Sequence, residues 1–242
     1  MIHLRDIEKS YGKTPVLKGV SLDIQEAEFI SIMGASGSGK STLLNVIGAL
    51  DRSYKGEASV AGWDLVKASD KELSRFRNET IGFVFQSFHL LNHLTCGQNV
   101  ALPAYFNPRM NEAEINARVT TSLERVGLSH KRDEFPLHLS GGERQRIAIA
   151  RALFNTPKII LCDEPTGALD SKTGRQILAL FEMLNRETGV TLIIVTHDAH
   201  VAARADRAIC IEDGHIVQKL RQASDDEDEL DEPLTTTSEA PA

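Results

Sequence analysis

Short runs of alternating or continuous apolar residues recur along the chain and predict β-strands. Near the N-terminus they predict strands over Ile2–Ile7, Val20–Ile24 and Phe29–Met33, which are separated by turns containing glycine or proline. Strand-like runs return at Ile159–Cys162 and Thr191–Val195. The chain is therefore expected to contain a sheet assembled from distant segments.

Helical spacing of apolar residues appears between these strands. It predicts helices over Ser41–Leu50, Asn111–Val126 and Ser171–Thr188, the last of them ended by Gly189. Another helix is expected to begin at Ser140, where Ser-Gly-Gly-Glu fits a capping box. Strands that alternate with helices predict an α/β fold with a parallel sheet covered on both faces, and the helix-rich middle, about residues 91–154, is then an inserted subdomain.

Composition is that of an ordinary globular protein, with 41% hydrophobic and 25% charged residues. No run approaches the eighteen or so apolar residues of a membrane span, and the N-terminal residues lack the basic and apolar blocks of a signal peptide. We therefore expect the protein to be cytoplasmic. Its three cysteines are scattered without metal-ligand spacing, which favours buried thiols over a disulfide framework.

Most of the net charge of −7 comes from the C-terminal end of the chain. Eight of the 34 acidic residues lie beyond Arg221, the last basic residue, and without them 26 acids face 27 bases. Such a balanced body does not indicate a nucleic-acid partner. We predict that residues 221–242 form an acidic disordered tail and that residues 2–220 form the folded domain.

A glycine-rich loop between the strand Phe29–Met33 and the helix after it has the pattern of a phosphate-binding loop. Glycines allow backbone N–H groups to approach phosphate oxygens, and the helix start favours an anion. The lysine would add a positive charge near the β- and γ-phosphates, and the serine after it would offer a hydroxyl to Mg²⁺. The predicted phosphate-binding residues are Gly34, Ala35, Ser36, Gly37, Ser38, Gly39, Lys40, Ser41 and Thr42.

The strand Ile159–Cys162 delivers two carboxylates, Asp163 and Glu164, at its C-terminal end. Ligands of open α/β sheets bind at that end of the strands. Asp163 is therefore a candidate to hold Mg²⁺ through its water shell, and Glu164 is a candidate general base for the attacking water.

Further residues identify a family. Leu139–Gln145, read as Leu-Ser-Gly-Gly-Glu-Arg-Gln, resembles the signature sequence of ATP-binding cassette (ABC) proteins. The family's other motifs are also present and stand in the family's order along the chain. They match at Tyr11 (adenine stacking), Gln86 (the Q-loop), Ala168–Asp170 (the D-loop) and His197 (the switch histidine). The resemblance covers about residues 2–219. It implies a RecA-like P-loop NTPase core with an N-terminal antiparallel β subdomain and an inserted helical subdomain.

The resemblance also implies how such a protein works. Two copies pack head to tail, and each ATP lies between the phosphate loop of one copy and Ser140, Gly141 and Gly142 of the other. Lys40, Gln86, Glu164 and His197 are the implied catalytic residues, while Ser41, Gln86 and Asp163 are the implied Mg²⁺ ligands. Loss of the γ-phosphate opens the dimer.

Within the family, Phe85–Leu91 and Asn99–Pro103 look like the subfamily that exports macrolides, lipoproteins, peptides or haem. A permease of the cell membrane is then the partner, and the segment from Phe85 to Phe106 is expected to contact it. The apolar residues Phe88, Leu90, Leu91 and Leu94 either form that contact or fill the joint between the subdomains.

Two other functions stay open at this point. One is a cassette of the cell-division type, which uses a related permease as a lever. The other is a cassette that binds ATP without hydrolysing it, although the presence of Lys40, Glu164 and His197 argues against that reading.

Overall fold

The computed structural model describes residues 1–107 and 109–221, which form two β-sheets and seven α-helices. The strands are β1 (Ile2–Tyr11), β2 (Thr14–Ile24), β3 (Phe29–Met33), β4 (Lys55–Val60), β5 (Trp63–Asp64), β6 (Ile81–Phe85), β7 (Ile159–Asp163), β8 (Thr191–Val195), β9 (Arg207–Glu212) and β10 (His215–Arg221). The acidic segment predicted to be a disordered tail lies, from residue 222 onward, outside the described residues.

The two sheets differ in strand direction. The smaller is antiparallel, with the order β2-β1-β4-β5. The larger has the order β10-β9-β3-β8-β7-β6, in which neighbouring strands are parallel except for the antiparallel pair β9 and β10. This arrangement confirms the predicted fold class, a parallel α/β core with an N-terminal antiparallel sheet.

The helices are α1 (Lys40–Ile47), α2 (Asp70–Thr80), α3 (Cys96–Ala101), α4 (Glu112–Arg125), α5 (Gly141–Leu153), α6 (Ser171–Thr188) and α7 (Ala199–Ala202). Gly189 ends α6 in the left-handed conformation, as predicted. The helix expected to reach Leu50 ends instead at Ile47, with Gly48 as its C-cap. Between residues 91 and 154, the described residues form α3, α4, α5 and three short 3-10 helices, without strands.

Two hydrophobic cores lie on opposite faces of the larger sheet. Strand β7 shows the division, because Ile159 and Leu161 pack in the core toward the antiparallel sheet while Ile160 and Cys162 pack in the core beneath the helices. A strand buried on both faces is expected in a parallel sheet. The cysteines are free thiols, two of them buried and Cys210 half-buried, as the scattered spacing predicts.

Candidate nucleotide site

A cleft of about 870 Å³ lies at the C-terminal ends of the parallel strands. Most of the predicted site residues meet there, although they come from distant parts of the chain. The cleft is lined by Tyr11, by Ser36, Gly37, Gly39, Lys40, Ser41 and Thr42 of the phosphate loop, and by Gln86, Asp163, Glu164 and His197. Its shape and donors suit a nucleoside triphosphate.

The phosphate loop depends on glycine where the backbone passes close to β2. Gly39, the N-cap of α1, has φ of 107°, and a Cβ there would lie 2.9 Å from Cδ2 of Leu17. No side chain caps α1, so its first N–H groups remain available to an anion. Lys40 is only 8% exposed, and its Nζ donates hydrogen bonds of 2.8 Å to the carbonyls of Gly34 and Ala35. The loop thus presents a cation and free amides to a phosphate.

Oxygen donors that suit Mg²⁺ lie beside the loop. The Ser41 hydroxyl donates a 3.1 Å hydrogen bond to Oδ1 of Asp163, so the two groups already face one another. Mg²⁺ prefers oxygen ligands and is often held by one or two protein groups together with phosphates and water. Burial and the neighbouring Glu164 raise the pKa of Asp163, against the opposing effects of Ser41 and Lys40. The effect of burial on the Asp163 carboxylate is therefore larger than the stabilisation that Ser41 and Lys40 give to its charge.

We expect Asp163→Asn to stabilise the nucleotide-free protein at neutral pH. An acid whose folded pKa exceeds its unfolded pKa destabilises the fold where it is charged, and this effect disappears below both pKa values. The Tm measured calorimetrically at pH 7 should rise, and the gain should shrink as the pH falls toward the ordinary aspartate pKa of about 4. Asp64→Asn is the control, because Lys67 lowers the pKa of Asp64. An equal gain for both variants would contradict the explanation.

Glu164 and His197 form a direct pair. Nδ1 of His197 lies 2.8 Å from Oε1 of Glu164, within hydrogen-bond distance. The Glu164 backbone has φ of 49°, which is unusual for a residue other than glycine, and its N–H donates to the carbonyl of Val195. Glu164 is therefore oriented both through its backbone, by β8, and through its side chain, by His197.

The signature residues lie elsewhere. Ser140 caps α5 with the predicted capping box, in which its hydroxyl accepts from the Glu143 N–H and Glu143 bonds the Ser140 N–H. Among the described residues that line the cleft, Ser140, Gly141 and Gly142 do not occur. A Cβ at Gly142 would lie 2.4 Å from the Thr173 methyl group, so glycine is needed where α5 approaches α6. Ser140 itself is exposed at this end of α5, and Gly141 and Gly142 are half-buried.

Four residues that line the cleft were not predicted as site residues from the sequence. Val16 is the extra residue of a bulge in β2, opposite Lys9 and Ser10, while Phe85, Ser87 and His89 lie close to Gln86 along the chain. Their side chains reach the cleft only because of tertiary structure, so no local pattern marks them. His89 follows Phe88, and both have positive φ. Arg151 of α5 holds them by donating hydrogen bonds of 2.5 and 2.8 Å to their carbonyls.

The family is decided by comparison with known proteins. The ABC transporter family model matches residues 17–167, which is more than half of the chain. This chain belongs to the ABC transporter family. As an ABC cassette it is an ATP-binding protein of the ATP-hydrolysing class, and its fold is that of the P-loop cassettes.

Individual relatives agree with this ABC assignment. YvrO of Bacillus subtilis, an uncharacterised ABC transporter ATP-binding protein, is 52% identical over 221 residues, covering 90% of this chain and 96% of YvrO. The macrolide export ATP-binding/permease protein MacB of Escherichia coli K12 is 47% identical over 222 residues. That match covers 90% of this chain but 34% of MacB, so the chain spans about a third of its length.

Solved ABC cassettes are similar as well. The bacterial ABC transporter cassette MJ0796, whose structure is dimeric, is 46% identical, with a TM-score of 0.83 over 91% of this chain and 98% of MJ0796. MJ0796 is also dimeric in a post-hydrolysis state bound to ADP and Pi, with a TM-score of 0.83. Within the described residues, no helix is both long and apolar enough to cross a bilayer.

Proposed function

We propose that this ABC ATPase works as a homodimer that closes around two ATP molecules and drives export through a separate membrane permease. The observation that carries the proposal is that the nucleotide cleft shares Phe85 and His89 with a second, apolar groove. A change at the nucleotide therefore reaches a surface suited to another protein.

In the cleft, the phosphate loop binds the triphosphate and Tyr11 stacks on adenine. Glu164 accepts a proton from the attacking water, and its contact with His197 keeps the carboxylate in place for that transfer. Ser41, Gln86 and Asp163 would hold Mg²⁺, which neutralises charge on the phosphates when bound. Gln86 lines the cleft and follows Phe85, which lines both the cleft and the apolar groove.

The dimer completes each site. Ser140, Gly141 and Gly142 lie at the N-terminus of a 13-residue helix, where backbone N–H groups and the helix dipole favour the γ-phosphate of a second copy. In the same chain, buried Gln145 of α5 donates a 2.6 Å hydrogen bond to the carbonyl of Pro165, next to Glu164. The helix that would meet one ATP is thereby attached to the segment that carries the base for the other.

The groove has a volume of about 510 Å³, and its apolar walls include Ile81, Phe83, Phe85, Leu102 and Phe106. Arg151 and His89 also line it, so the Arg151 hydrogen bonds described above connect it to the strained segment after Gln86. An exposed apolar groove of this kind indicates a protein partner. A short segment of the permease is the occupant that we propose, and the 47% identity to MacB favours an export system.

We propose that the permease contact avoids the apolar cluster of Phe88, Leu90, Leu91 and Leu94 that follows Gln86. Leu91 is 40% exposed, but the described lining of the groove includes none of Phe88, Leu90, Leu91 and Leu94. Leu90 packs against the core beneath the helices. The Arg144 guanidinium lies over the Phe88 ring, with its Cζ 5.2 Å from the ring centroid. These two contacts support the alternative that the cluster fills a joint. The groove instead uses the strand β6 and the 3-10 helix Leu102–Phe106.

We expect Phe106→Asp to abolish association with the permease. Phe106 is 74% exposed and lines the groove, so the charge disturbs docking without breaking the core. A tagged chain should no longer co-purify with its integral-membrane subunit from detergent-solubilised membranes, while ATP binding by the isolated chain is retained.

Tyr105→Asp is the matched control. Tyr105 is 81% exposed and adjacent in sequence, but it does not line the groove. Its co-purification should equal that of the wild type. If Phe106→Asp co-purifies normally, the proposed contact is misplaced.

A further inference from the structure

A buried ion pair stands behind the aromatic residue at one end of the nucleotide cleft. Lys9 is 4% exposed, and its Nζ lies 2.7 Å from Oδ1 of Asp51 and donates a hydrogen bond of 2.7 Å to the carbonyl of Ser53. The same Nζ lies 4.7 Å from the ring centroid of Tyr11. The other oxygen of Asp51 accepts a 3.0 Å hydrogen bond from the Tyr11 hydroxyl.

These contacts fix the ring in two ways. The ammonium group holds one face by a cation–π interaction, and the carboxylate holds the hydroxyl. Tyr11 is 50% exposed and lines the cleft, whereas the described lining does not include Lys9. The ring face toward Lys9 is therefore turned away from the cleft, and the other face is left for a flat ligand.

The strand and the phosphate helix are tied together by this pair. Lys9 and Tyr11 are two residues apart on β1 and share a face of the strand, while Asp51 follows the helix α1, which begins at the phosphate loop. Burial raises the pKa of Asp51, but hydrogen bonds from Lys9, the Ser53 N–H and Tyr11 outweigh it and lower that pKa below its usual value. Asp51 thus stays ionised and keeps both contacts at neutral pH.

We propose that Lys9 and Asp51 are positioning residues that hold Tyr11 as the stacking platform for the nucleotide base, at a set distance from the phosphate loop. Neither residue lines the cleft among the described residues, so both act through the ring. The inference rests on the proposed role of Tyr11 in adenine binding. It implies that the loss of the pair weakens recognition of the base and leaves recognition of the phosphates unchanged.

The test compares Mg-ATP with Mg-tripolyphosphate, which has the three phosphates without a base. We expect Lys9→Met to weaken ATP binding about 3- to 10-fold, measured calorimetrically, with tripolyphosphate affinity within about twofold of the wild type. In the ATPase assay KM should rise by a similar factor while kcat is retained. Lys9→Arg, which keeps the charge, should recover most of the ATP affinity. Lys67→Met, which breaks the surface Lys67–Asp64 pair, is the matched control and should leave the affinity for both ligands unchanged.

Equal weakening of both ligands by Lys9→Met, or no weakening of either, would overturn the positioning role. Because loss of Lys9 leaves Asp51 without its cation, Tyr11→Phe provides a second test that keeps the ion pair and removes only the hydroxyl. It should weaken ATP about 2- to 3-fold and leave tripolyphosphate unchanged; unchanged ATP affinity would count against the Asp51 contact. Tyr11→Ala tests the assumption that Tyr11 stacks on adenine. If Tyr11→Ala does not weaken ATP binding, the adenine-stacking role of Tyr11 is wrong. If Tyr11→Ala weakens ATP binding but Lys9→Met and Tyr11→Phe do not, only the role of Lys9 and Asp51 is refuted.

Discussion

Replacing Glu164 with glutamine is expected to lower kcat for ATP hydrolysis by about 10²–10⁴-fold, while ATP still binds. Glutamine keeps the size of the side chain and can still bond His197, which lies 2.8 Å from Oε1. It cannot accept a proton from water. Single-turnover hydrolysis of radiolabelled ATP, with a separate measurement of Kd, distinguishes the lost chemistry from lost binding.

Glu182→Gln is the control for this variant. Glu182, on α6 outside the cleft, is also a partly buried glutamate, with 19% of its side chain exposed like that of Glu164, but its partner is Arg204. Its kcat should stay within about twofold of the wild type, as for most substitutions away from a site. A Glu164→Gln enzyme that hydrolyses ATP at the wild-type rate would show that another group, or water alone, takes the proton.

Replacing Lys40 with alanine should weaken ATP binding by about 100-fold or more, because the phosphates lose a charged partner. Lys40 is only 8% exposed, so its charge is poorly screened by solvent. Its Nζ already lies within the loop, where it bonds two carbonyls at 2.8 Å. Equilibrium binding of a fluorescent ATP analogue measures the loss. Lys158→Ala is the control and should bind ATP normally, because Lys158 precedes β7 at the end of the strand opposite Asp163 and the cleft. Wild-type affinity in Lys40→Ala would place the triphosphate elsewhere.

The parts of this site that could be predicted are those with a contiguous pattern. The phosphate loop has its glycines, lysine and serine within eight residues, and the capping box at Ser140 needs only Glu143 three residues on. Helix α6 has strong apolar spacing and a glycine stop, so its bounds agree with those predicted. In each case the physical cause lies within one or two turns of the chain.

The rest depends on residues that only the fold brings together. Lys9 and Asp51 are 42 positions apart, and Arg151 lies 63 positions from Phe88. Neither pair has a local signature, since a lysine in a strand usually faces solvent. The sequence alone could not show whether the apolar residues after Gln86 form an exposed surface or fill the joint between the subdomains. The spacing of apolar residues in a short segment does not identify what packs against it.

We propose that ATP closes two copies of this chain, each supplying Ser140 to the other's cleft. The most direct measurement is the solution mass of Glu164→Gln by light scattering, with and without Mg-ATP. We expect the mass of one 26.6 kDa chain without nucleotide and twice that mass with Mg-ATP. Adding Ser140→Arg should prevent the change, whereas Ser69→Arg, at the similarly capped helix α2, should not. A Glu164→Gln protein that binds Mg-ATP and keeps the mass of one chain would show that ATP does not bring two copies together.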